Sequence, residues 1–248
     1  MHLTVCPAIL LRRVCTLFIS TLLLTGCQPA AHREAQAPAA ETSIPVLAQL
    51  PPMPVAGSTH YVVNGKDSDV RILAFRGGPL AKAGHNHVVR VHELSGDIYL
   101  AQKFHESGFA LAFPVAKLEV DPADARTDEG IEFAVMPSPQ AIDATYKNMT
   151  GPSVLDAQQF PEVTLRSVAM IGPAWGPEAT VRVTLHGVER DVNVPLAINV
   201  CDDKLTVTGM FMLKTSDFGM TPFSALGGGL QVLDEVKVRF HVLARHHP

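Results

Sequence analysis

The chain has 248 residues, 47% hydrophobic and 18% charged, with 24 acidic against 20 basic side chains. A net charge of −4 gives no basic footprint for nucleic acid, and the low charge with high apolar content excludes wholesale disorder. Three destinations stay open for the apolar residues: a membrane span, a packed core or a lined cavity.

The first element is short and apolar. Arg12-Arg13 precede an apolar run from Val14 to Leu24, eleven residues, where a spanning helix needs about 20. The run therefore predicts the hydrophobic region of a secretory signal. It closes on Leu24-Thr25-Gly26-Cys27, which resembles the lipobox of bacterial lipoproteins. Residues 1–26 are then a signal peptide, and the Cys27 thiol receives the diacylglyceryl group. Several acyl chains hold a protein on a membrane without a span. Gln28, where an Asp would favour inner-membrane retention, points to the periplasmic side of the outer membrane. Loss of Arg12 and Arg13 makes the mature chain more acidic. Cys6 and Cys15 leave with the signal and Cys27 is consumed, so Cys201 stands alone. No internal disulfide framework follows, and Cys201, at the end of an apolar strand, is expected to pack.

Residues 27–57 form the lipidated N-terminus and a tether rich in Ala, Pro, Glu and Gln, with Pro51, Pro52 and Pro54 near its end. Proline withholds backbone donors and favours extended chain, which makes this a semi-rigid spacer.

Residues 58–246 read as one domain dominated by alternation of period two. Strands are expected over Asp69–Arg76, Val88–Leu100 and Val163–Ile171. Apolar residues alternate at Phe109, Leu111, Phe113 and Val115, and again at Val181, Val183 and Leu185. The pattern returns at Val192, Val194, Leu196, Ile198 and Val200, at Leu205, Val207, Phe211 and Leu213, and at Val236, Val238, Phe240 and Val242. Each is a strand with one apolar and one wetter face. One segment departs from this period: Ser138 can cap a helix that starts at Pro139, carries Ile142, Tyr146 and Met149 on one face and ends at Gly151-Pro152. The expected fold is all-β, a closed antiparallel barrel of about eight strands with one or two short inserted helices, since closure removes exposed edges. Such a barrel either fills with side chains or holds one ligand.

Four segments, in order, carry a resemblance. They are Leu155-Asp156-Ala157-Gln158-Gln159-Phe160-Pro161-Glu162-Val163-Thr164-Leu165-Arg166-Ser167, the hairpin Leu185-His186-Gly187-Val188-Glu189-Arg190-Asp191-Val192, the segment Leu213-Lys214-Thr215-Ser216-Asp217-Phe218-Gly219-Met220, and Asp234-Glu235-Val236. Together they resemble the YceI-like proteins over about Tyr61 to Ala244. The resemblance implies a lipocalin-like periplasmic barrel with an elongated apolar cavity that takes polyisoprenoids, isoprenoid quinones or similar long amphiphiles. Candidate lining residues are Phe109, Leu111, Phe113, Val183, Leu185, Phe211, Phe218, Phe223 and Phe240. Ordinary core packing is the competing reading for each.

The segment from Ala83 to Glu93 departs from the commoner family pattern by doubling its histidine. On a strand His85 and His87 share a face, a spacing open to two ligands of a zinc or copper site. His92 has the opposite parity, so a third ligand would have to come from His60, His105, His186 or His241. With no Cys or Asp in the motif, His85 and His87 are expected to hydrogen-bond a ligand headgroup or neighbouring backbone, and no metal or cofactor is expected. The alternative is a metal-binding or redox-linked periplasmic protein using the same pair. An enzyme is not expected. Asp217-Phe218-Gly219 lacks the companion motifs of kinases, Gly227-Gly228-Gly229 lacks the lysine of a phosphate loop, and no nucleophile elbow occurs. The partners expected are thus a long-chain lipid and, through the anchor, a membrane; a homodimer is left open.

Overall fold

Alternating apolar residues lead most of the chain into strands. The computed structural model describes residues 57–173 and 175–248; the signal, Cys27 and nearly all of the tether lie outside them. The strands in chain order are β1 (Thr59–Val63), β2 (Asp69–Gly77), β3 (His87–Arg90), β4 (Ser95–Leu100), β5 (Gly108–Pro114) and β6 (Glu119–Val120). After helices α1 (Ala123–Asp128) and α2 (Pro139–Thr150) come β7 (Glu162–Ile171), β8 (Glu178–Leu185), β9 (Val188–Pro195), β10 (Ala197–Cys201), β11 (Lys204–Lys214), β12 (Ser224–Ala225) and β13 (Leu230–His246). Every pairing between them is antiparallel.

Among the described residues the sheet has thirteen strands, and its hydrogen-bonded path, β6-β3-β2-β13-β1-β4-β5-β7-β8-β9, does not close on itself. Strands β10, β11 and β12 join from the side, through β11 and β13. The expectation of a closed barrel of about eight strands is corrected accordingly. The physical reason is interruption. The strand expected over Val88–Leu100 is two, β3 and β4, broken where Glu93 takes a left-handed backbone (φ 57°). The run from Val192 to Val200 is also two, β9 and β10, parted at Pro195-Leu196, where the Leu196 N–H donates to the Pro177 carbonyl instead of a ladder (2.9 Å). Val115 leaves β5 for a 3-10 turn over Val115–Lys117, where it is buried.

Local chemistry explains the turns and the helix. His186 and Gly187 both have positive φ (53° and 72°), as a tight two-residue hairpin between β8 and β9 requires. Gly209 interrupts the inward series of β11 because a Cβ there would fall 2.4 Å from the Phe240 ring and from the Pro195 carbonyl oxygen. Helix α2 starts as its sequence predicts: the Ser138 hydroxyl accepts from the Ala141 N–H (3.2 Å), and Pro139 occupies the first turn.

Two cores result. The larger gathers the inward faces of the sheet, including Tyr61, Val89, Phe113, Val163, Val181, Leu205, Phe218 and Val242. The smaller lies on the other face of β2 and β3, where Leu73 and Val88 meet Ala125 of α1 and Phe133. Arg71, on that outer face, clamps α1: it pairs with Asp69 (2.6 Å), Asp128 (2.9 Å) and Glu129 (3.2 Å), and Arg239 of β13 reaches Glu129 as well (2.6 Å). Burial works against the Arg71 charge, but these carboxylates outweigh it and raise its pKa. Cys201 is exposed at the end of β10 rather than packed. The apolar alternation of β10 outlasts its cover, since neighbouring Val200 is exposed too.

Candidate functional site

Inward-facing residues need not touch one another. Between them lies an apolar cavity of about 510 Å³, within the range of ligand pockets. Its wall takes Val70, Ile72 and Ala74 from β2, Val89 from β3, Ile98 and Leu100 from β4, and Val163 and Leu165 from β7. Val194 of β9, Ile198 of β10 and Val207 of β11 add to it, so the sheet wraps around the space. Lining residues of β13 run from Val232 to Val242. The lining thus follows most of that strand.

The two ends differ. At one, Ala141, Ala144, Thr145, Asn148 and Met149 of α2 line the cavity together with Phe223 and Leu233. Phe223 and Leu233 are 43% and 41% exposed, so lining and solvent meet there. Leu100, Phe109 and buried Met170 belong to the other end, where β1 pairs Thr59 with Leu100 and pairs Tyr61 with His246 at the end of β13.

Phe109, Leu111, Phe113, Val183, Leu185, Phe211, Phe223 and Phe240 all lie on this wall. Phe218 does not, and its assignment as a lining residue is corrected. It sits in a 3-10 turn over Thr215–Phe218, after β11 has ended, so strand alternation no longer aims its side chain. The ring is 1% exposed in the packed core, and its carbonyl accepts from His186 Nδ1 (3.1 Å).

The histidine pair also separates. His87 opens β3, pairs in register with Ala74 of β2, and lines the cavity. His85 precedes the strand and is not part of the wall, because the period-two argument fails before β3 begins; the two ring centroids are 6.4 Å apart. Among the described residues no group of three or more His, Cys, Asp or Glu side chains is placed to hold a metal ion. His92 instead bonds Glu119 at the surface (2.8 Å).

Two residues behind His87 escaped the sequence reading. His87 Nδ1 is 2.7 Å from Asp121 Oδ2, and the other oxygen of Asp121 accepts from the Val88 N–H (2.9 Å) and from Arg126. Burial would raise the Asp121 pKa, but hydrogen bonds from His87 and Val88 and the charge of Arg126 outweigh it, holding the carboxyl below its ordinary value. Asp121 takes a left-handed backbone (φ 56°) that places it just before α1, and its side chain is fully buried. Arg126 also donates to the carbonyls of Asn86 (2.8 Å) and Val135 (2.6 Å). The available signal was Asp121-Pro122 ahead of an Ala-containing run, a helix start with an acidic residue before it.

A mostly-β protein whose sheet wraps an apolar cavity is the class that this geometry defines. The family model for the YceI-like domain matches residues 61–244, and the chain belongs to that family. Its fold is similar to that of BcnA from Burkholderia cenocepacia (TM-score 0.54, 17% identity, 73% of this chain and 98% of that one). It is similar also to a polyisoprenoid binding domain from Saccharophagus degradans implicated in plant cell wall breakdown (TM-score 0.50, 11% identity, 77% and 99%). No curated protein matches the chain.

Proposed function

We propose that this protein binds a long-chain isoprenoid or a similar amphiphilic lipid in its central cavity, without catalysis, and sequesters or carries it on the periplasmic side of the envelope. The apolar cavity of about 510 Å³, walled almost wholly by hydrocarbon side chains, carries this reading. Each methylene-sized unit buried contributes about 0.8 kcal/mol, so a long tail gains most from a long apolar wall and needs few polar contacts. The polyisoprenoid binding of the Saccharophagus degradans domain, which shares the fold, supports the same ligand class. In this proposal residues 1–26 are removed and Cys27 carries the lipid that tethers the domain to the outer membrane, with 27–57 as spacer.

Organic extraction of the purified protein, followed by mass spectrometry, is the direct test. A polyprenyl or quinone-like lipid, or uptake of such a chain by delipidated protein, is the expected result. Protein that carries none and takes up none overturns the reading. Radiolabelled palmitate incorporation that disappears in Cys27→Ala tests the anchor separately.

A further inference from the structure

Most of the cavity wall is hydrocarbon, and among the described residues His87 is its one aromatic side chain with a ring nitrogen. Behind it stands a buried carboxylate, that of Asp121. The Asp121 carboxylate is ionised and fully buried, held by the Val88 N–H and by Arg126, itself 3% exposed. An ionised carboxylate only accepts hydrogen bonds, so the 2.7 Å contact requires that Nδ1 of His87 carry the proton. In its neutral form the ring is then locked as one tautomer, with a lone pair on Nε2. Nε2 has no hydrogen-bond partner among the described residues, and it lies on the side of the ring away from Asp121. The register places His87 beside Ala74, whose β13 partner is Val236, towards the end where Phe223 and Leu233 reach solvent. A chain entering tail first leaves its polar end there.

We propose that the Asp121–His87 pair recognises the polar end of the ligand and selects ends that donate a hydrogen bond, a hydroxyl of a long-chain alcohol or phenol, over ends that only accept. His87 makes the contact; Asp121 and Arg126 are positioning residues. The proposal rests on the lipid-binding reading of the cavity and adds a headgroup class to it. A structural pin between β3 and α1 would not need the histidine, because the Val88 N–H and Arg126 already tie Asp121 to both.

The test compares geranylgeraniol with its methyl ether, which keeps the chain and oxygen and loses only the donor. Affinities come from displacement of a fluorescent fatty acid from the delipidated protein. One neutral hydrogen bond corresponds to roughly 2- to 10-fold tighter binding of the alcohol. In His87→Leu the ratio should fall to about one, with the ether bound as in the parent. Asp121→Asn, which frees the tautomer, should reduce the ratio in the same direction; His87→Leu decides the matter where Asp121→Asn does not fold. Equal binding of both probes by the parent, or an unchanged preference in His87→Leu, overturns the headgroup assignment and leaves the cavity reading standing. Binding of neither probe overturns both.

Discussion

Strands β2 and β3 carry apolar residues on both faces, yet those residues have opposite fates. Outward, Leu73 and Val88 are 3% and 0% exposed and pack against Ala125 and Phe133 under α1. Inward, Ile72, Ala74 and Val89 line the cavity. The side chains are of the same kind, and what differs is the opposing layer. A helix close above a sheet fills the gap, whereas a sheet that wraps leaves space between its own inward faces. Packed and lined surfaces therefore look alike in sequence and differ in their response to substitution.

The largest effect is expected where charge is buried on the packed side. Asp121→Ala leaves Arg126 without its carboxylate and should cost about 3–5 kcal/mol, read by urea unfolding. Phe133→Ala, in the outer core, should cost about 3 kcal/mol and leave lipid uptake intact. Phe240→Ala removes a ring that already borders open space, so about 1–2 kcal/mol is expected, together with a wider cavity and altered chain-length preference by mass spectrometry. If Phe240→Ala proves as costly as Phe133→Ala, the contrast between lined and packed surfaces breaks down. Leu111→Trp sharpens the contrast from the other direction: it fills the tunnel, and uptake should be lost while stability changes by no more than about 1 kcal/mol, since overpacking strain needs a full site.

The smallest effect concerns acid. The carboxyls of Asp121 and Asp191 have lowered pKa values in the folded protein; for Asp191 the chief cause is its hydrogen bonds with Arg182. Groups with depressed folded values contribute stability above the unfolded carboxyl pKa of about 3.9, and lose it as pH falls through the folded value. Denaturation midpoints should therefore be flat near neutrality and fall below about pH 4. Asp191 is partly exposed, so Asp191→Asn should remove no more than about 1 kcal/mol of that stability.

Much of this was legible beforehand. The alternation over β8, β11 and β13 marked inward residues, and the cap at Ser138 located α2 to the residue. The errors share one origin. Phe218 and His85 were assigned to faces by a rule that holds only inside a strand, and both lie just outside one. The closed eight-strand barrel assumed uninterrupted strands, whereas Glu93 and Pro195 each end one early. Asp121 was missed because its partner is 34 residues away and no local pattern joins them.

The sequence by itself determined the β-rich class, the family through four ordered motifs, the inward faces and the helix start, because each depends on residues near one another along the chain. Only the tertiary structure decided which apolar side chains meet a partner and which face a void, and which histidine has a buried carboxylate behind it. Those outcomes depend on distances between segments far apart in the chain, which composition and period do not contain.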